Sequence, residues 1–154
     1  MNLVAVDYQA DNAAELFAKS LHETGFGVLK NHPIQKQLVE DIYTAWQAFF
    51  DSEDKFDYTY NKGTQDGYFS KSVSEVAKGF KKKDIKEYFH YYPWGMCPPE
   101  LKQQLADYYA KTTSLAAELL SWVEDNAPDD VKANFNEPLS QMIDGSEQTL
   151  LRVL

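Results

Sequence analysis

Apolar positions fall along this chain in short runs and helical stripes separated by polar turns. Residues 3–7 form a brief apolar run that predicts a strand. Asn12 followed by Glu15 has the spacing of a capping box, in which each side chain satisfies an orphan amide of the first helical turn. Leu16, Phe17 and Leu21 then predict a helix, and Gly25 is placed to end it in a left-handed conformation. Residues 25–33 read as a buried-type strand closed by a turn at Asn31-His32-Pro33. A second helix is expected over about 35–50, with Leu38, Ile42, Trp46 and Phe49 on one face.

Between residues 51 and 79 the periodicity fades. Glycines and scattered aromatics there predict loops and extended pieces that cannot all be core. Residues 84–92 mix charges with Ile85, Tyr88, Phe89, Tyr91 and Tyr92, and their aromatic content favours a strand near the end. Pro98-Pro99-Glu100 opens the clearest helix, about 99–126, because proline fits a first turn and an acid suits the positive helix end. Leu101, Leu105, Tyr108, Thr112, Leu115, Leu119 and Trp122 repeat along it at helical spacing, and such a face needs a layer to lie on. Residues 129–135 suggest one more short helix, and 148–154 a strand that the sequence leaves just begun. A half-strand leaves backbone groups unpaired, so the sequence reads as a fragment. No internal repeat or Gly/Ser/Pro-rich linker divides the 154 residues.

Charge narrows the partners. A net charge of −9 repels phosphate backbones and anionic lipid, so neither nucleic acid nor membrane surface is an expected partner. The basic cluster Lys78, Lys81, Lys82, Lys83 and Lys86 reads as a solvated segment. A lone cysteine, Cys97, cannot close an internal disulfide and has no basic activator beside it; it suits a reducing compartment and inert packing. Without a signal-type N-terminus or a membrane-spanning apolar run, the expected location is cytoplasmic.

The three histidines, His22, His32 and His90, are followed two positions later by Thr24, Ile34 and Tyr92, so none forms a His-x-Asp or His-x-Glu metal pair. His22 reads as a helix-end cation and His32 as a turn residue. His90, in the aromatic block, is a candidate for a ligand-facing position, as are Tyr68, Phe69, Ser70 and Lys71. The bland alternative for Tyr68 and Phe69 is a loop whose aromatics are simply buried. No phosphate loop, nucleophile elbow or Cys-x-x-Cys occurs, and Asp129-Asp130 reads as a helix start.

In chain order, five segments resemble the isopenicillin N synthase-like oxygenases. Glu23-Thr24-Gly25-Phe26 followed by Asn31-His32-Pro33-Ile34 resembles that family's ETGFF…NHGI signature, with Pro33 where glycine is usual. Phe49-Phe50 with Lys55 resembles its FF…K helix end, and Gly67-Tyr68 its glycine-tyrosine pair. Asp84-Ile85-Lys86-Glu87-Tyr88-Phe89 resembles its DxKExF block, and Leu151-Arg152 its LRxxxYP strand. The resemblance implies an α+β region, the N-terminal α/β buttress of a double-stranded β-helix (jelly-roll) oxygenase. Residues 1–146 would form that region and 147–154 the start of the catalytic jelly-roll, whose remainder would be the partner this chain lacks.

It further implies that Gly25, Phe26, Asn31, His32, Lys86, Glu87 and Arg152 are architectural, with His32 holding turn carbonyls. Arg152 could brace the barrel or point toward the 2-oxo acid, and bracing is preferred because the family's usual carboxylate-binding arginine comes later in the barrel. The intact parent would bind Fe(II) through two histidines and a carboxylate, together with 2-oxoglutarate, and oxidise a small molecule. This chain alone would bind neither cofactor and be inactive. Two alternatives are a non-enzymatic binding or scaffolding module and an iron oxidase of the isopenicillin N synthase type that needs no 2-oxo acid.

Overall fold

In the computed structural model, residues 3–73, 79 and 85–154 are described. Most of the expected lysine cluster (Lys78, Lys81, Lys82, Lys83) and Asp84 of the DxKExF block lie outside them. The chain folds as two compact units, residues 1–36 with 110–144, and residues 37–109 with 145–154.

The first unit is built on a parallel strand pair with a helical crossover. Strand β1 (Ala5–Asp7) pairs with β2 (Val28–Lys30), Val6 opposite Leu29, and helix α1 (Ala13–Thr24) connects them. Gly25 ends α1 at φ 76°, its amide returning to the Leu21 carbonyl at 2.9 Å, a left-handed cap in which glycine carries no Cβ strain. The expected capping box is not formed: the Asn12 side chain makes no hydrogen bond to the helix start. The expected buried strand is corrected too. Val28 and Phe26 are exposed, as is Leu16 on α1, because a two-stranded sheet leaves one side uncovered. Phe17 is buried and meets the edge of Trp122, whose ring also lies 5.3 Å from that of Tyr8.

Asn31 adopts φ 58° and its amide nitrogen reaches both carboxylate oxygens of Asp7 at 3.0 Å. That bond, first among the causes, holds the Asp7 carboxyl below its ordinary range. His32 does its work differently from expectation. Its Nδ1 accepts the Ile34 amide at 3.3 Å instead of holding a carbonyl, so the ring caps an orphan donor. Of the expected helix at 129–135 only a single turn forms, α4 (Asp129–Lys132).

The second unit is a three-stranded antiparallel sheet backed by helices. Its order is β3 (Gly67–Phe69), β4 (Tyr88–Tyr91), β5 (Leu151–Val153). Helix α2 (Lys36–Asp51) sets Ile42, Trp46 and Phe49 at four- and three-residue steps, and all are buried. Helix α3 (Pro99–Asp125) adds Leu101 and Leu105 from its first turns. Tyr68, Phe89 and Tyr91 from the sheet complete this core, with Phe89 fully buried and packed 4.9 Å from Trp46. Burying a side chain of this size stabilises by roughly 2 kcal/mol, and edge-on ring pairs add about 1 kcal/mol more.

Candidate functional site

Side chains alternate across a strand, so the sheet register sorts its residues onto two faces. Tyr68 stands opposite Phe89, and Phe89 opposite Val153, which puts all three on the helix side. Phe69 stands opposite Tyr88, and His90 opposite Arg152, on the other side. The polar and candidate residues gather on that second face.

Four planar groups line up there. Tyr60 stacks on Phe69 at 4.3 Å, Phe69 on Tyr88 at 4.7 Å, and the Arg152 guanidinium carbon lies 4.9 Å from the Tyr88 centroid. A guanidinium on a tyrosine face gains from the ring quadrupole and is held flat. His90 lies beside this row, 4.5 Å from Phe69, and is 8% exposed. Its Nδ1 is 3.0 Å from the Gln65 carbonyl and its Nε2 is 2.9 Å from the Arg152 Nε. A carbonyl can only accept and a guanidinium can only donate. The ring is therefore neutral, with its proton on Nδ1 donated to Gln65 and its Nε2 accepting from Arg152.

Gln65 is held in turn by a tight loop. It sits at φ 62°, an uncommon region for a residue with a Cβ, and its amide donates to the Asn61 carbonyl at 2.7 Å. Buried Asp66 fixes the loop from below, accepting the Met96 amide at 2.7 Å and the Thr64 hydroxyl.

On the helix side Glu87 is a charge hub. Its Oε2 accepts the Tyr68 hydroxyl and lies 3.3 Å from Lys55 Nζ, while Oε1 is 3.6 Å from Lys71. Lys55 also donates to the Phe50 carbonyl at the end of α2. Burial pushes the Glu87 carboxyl up, but the Tyr68 and Lys55 bonds outweigh it and hold the group below its ordinary range. Burial, then the bond to Glu87, raises the Tyr68 phenol.

The other candidates are peripheral. Ser70 shares a 2.7 Å bond with Ser72, Lys71 is exposed apart from its pairing with Glu87, and the Lys86 ammonium lies 5.9 Å from the Tyr88 centroid. Burial pushes the Cys97 thiol up to about 11, away from the lowered range of activated cysteines. Among the described residues no group of three or more His, Cys, Asp or Glu side chains is placed to hold a metal. The described residues by themselves make no site that fits iron. An apolar groove of about 450 Å³ is lined in part by Ile42, Trp46, Leu151 and Val153, with Asp51 and Arg152 the charged residues on its border.

The sequence singles out Phe69, His90 and Arg152 separately, and the fold brings them together. Tyr60, Gln65 and Tyr88 are members of this face that sequence reasoning misses. The alternation of Tyr88 and His90 is the available signal for the last, since both lie on one side of a strand.

A three-stranded sheet backed by helices, together with a β-α-β unit, is the architecture of the N-terminal region of oxygenases of the 2-oxoglutarate type. Residues 3–111 match the family described as "non-haem dioxygenase in morphine synthesis N-terminal", and the chain belongs to that family, consistent with its resemblance to an isopenicillin N synthase-like N-terminal region. A candidate oxygenase from Shewanella oneidensis is 55% identical, with a TM-score of 0.88 over 99% of this chain and 55% of its own. A candidate 2OG-Fe(II) oxygenase family protein from Caulobacter crescentus is 21% identical, with a TM-score of 0.65 over 80% of this chain and 48% of its own. A full-length Neurospora crassa protein in complex with alpha-KG and thymine is 18% identical, with a TM-score of 0.62 over 79% of this chain and 47% of its own. The last two likenesses are of fold. The chain thus spans about half the length of the solved relatives it matches. No curated protein matches it.

Proposed function

We propose that the intact parent protein is an Fe(II)- and 2-oxoglutarate-dependent oxygenase of a small molecule, to which this chain contributes the N-terminal buttress. The observation that carries this reading is the family match over residues 3–111, supported by 55% identity to the Shewanella oneidensis candidate oxygenase. The Neurospora crassa neighbour's complex with alpha-KG and thymine supports both the cosubstrate and a small planar substrate class.

Within this reading, iron is held by residues of the parent other than those of this chain, as is 2-oxoglutarate. When bound in the parent, Fe(II) and 2-oxoglutarate would supply the oxygen-activating chemistry. This chain's own part is to shape the chamber. The face carrying Phe69, Tyr88, His90 and Arg152 lines the substrate side, where its rings exclude water and its neutral imidazole positions Arg152. The opposite face, with Tyr68 and Glu87, ties the sheet to α2 and is architectural.

Oxygen uptake by the intact parent, supplied with Fe(II) and a panel of small carboxylic and heterocyclic compounds, tests the proposal. Uptake that requires 2-oxoglutarate is the expected result. Uptake with iron alone would reassign the protein to the isopenicillin N synthase type. No uptake by folded, iron-loaded protein would leave a binding module.

A further inference from the structure

Arg152 is exposed, yet its geometry is fixed on two sides. Its Nε is spent on His90 at 2.9 Å and one face of its guanidinium lies on Tyr88 at 4.9 Å. Among the described residues no carboxylate takes its terminal nitrogens, Nη1 and Nη2, and Arg152 has no further interaction. An unpaired surface arginine is ordinarily mobile. This one is locked by a buried histidine, itself held by the Gln65 carbonyl in a loop pinned by buried Asp66.

A planar fork with its Nε edge occupied and its Nη edge open matches a carboxylate. The surroundings narrow the ligand further. The guanidinium ends a row of stacked rings, Tyr60, Phe69 and Tyr88, so a flat apolar body attached to the carboxylate has aromatic surface beside it. The net charge of −9 disfavours polyanions, and the Lys86 ammonium 5.9 Å from the same Tyr88 ring is the one other cation placed near the guanidinium among the described residues.

We propose that Arg152, positioned by neutral His90, is a binding site for the carboxylate of a small aromatic acid. Naming that acid the substrate rests on the oxygenase reading; the site itself does not.

Benzoate is the probe, with benzamide as its neutral isostere and inorganic phosphate as a second anion. The readout is the Arg152 Nε–Hε resonance of the intact protein, which reports the His90 bond directly. Benzoate is expected to shift it saturably, while benzamide and phosphate do not. Arg152→Lys keeps the charge and loses the fork, and is expected to weaken benzoate binding about tenfold. His90→Phe, which keeps a ring but removes the acceptor, should weaken it similarly, and His90→Gln, whose side-chain carbonyl can accept from Nε, should retain most of it.

Absence of a saturable benzoate shift, or equal shifts from benzamide or phosphate, would overturn the proposal. These comparisons on the unaltered protein stand even where a variant folds poorly. Benzoate binding without oxygen uptake would defeat the oxygenase reading alone.

Discussion

Glu87 carries a charge into a setting where burial works against it, and three partners reverse the balance. Its side chain is 20% exposed and that of Lys55 14%, so replacing the carboxylate leaves a mostly buried ammonium without its counter-charge. Glu87→Gln is expected to destabilise the fold by about 2 kcal/mol in urea denaturation. Because the folded carboxyl lies below its ordinary value of 4.5, its contribution is present above that pH. It is lost as pH falls through the lower, folded value. The wild type should therefore lose stability on acidification in that window, and Glu87→Gln should lose less there. Equal acid dependence in both proteins would show that the Tyr68 and Lys55 bonds do not hold the charge.

At the scale of elements, short strands depend on single backbone positions. Gly67 opens β3 at φ 102°, where a Cβ would lie 2.6 Å from the Tyr58 carbonyl and 2.7 Å from Met96 Sδ. Gly67→Ala must strain the backbone and displace these neighbours, at a cost of about 3 kcal/mol, whereas Gly63→Ala meets only the Asn61 side chain and should cost under about 1 kcal/mol. A common midpoint for the two variants in denaturant titration would contradict the assignment of β3.

The helices are legible in the sequence because packing against one layer leaves a periodic stripe: Ile42, Trp46 and Phe49 announce α2 to within a residue at each end. Strand β3 is not, since three residues are too few to show alternation, and by pattern alone Tyr68 and Phe69 read as loop. The pairing of His90 with Arg152 is out of reach of pattern reading because the partners are 62 residues apart and meet only through the β4–β5 register. Resemblance marks Lys55, Tyr68 and Glu87 as separate motif positions; their meeting in one charge hub needs the fold. Asn12 fails as a cap because spacing alone does not set the φ and ψ that aim the side chain.

For the whole molecule, each unit has its own logic. The first is a β-α-β unit stapled by Asn31 to Asp7 and by Tyr8 to Glu118 at 2.6 Å. The second is a sheet with one face given to helices and the other to His90, Arg152 and stacked rings. The family match shows the class of protein, and the proposed role of the chain turns on whether this second face looks onto the reaction chamber of the intact parent.

Paramagnetic broadening in that parent, with Mn(II) in place of Fe(II), decides the matter. The ring signals of Phe69, Tyr88 and His90 are expected to broaden strongly on metal binding, while Tyr43, 73% exposed on α2, stays sharp. Broadening of Tyr43 with Phe69 and His90 unaffected would place the metal on the helix side and contradict the proposed orientation of the sheet.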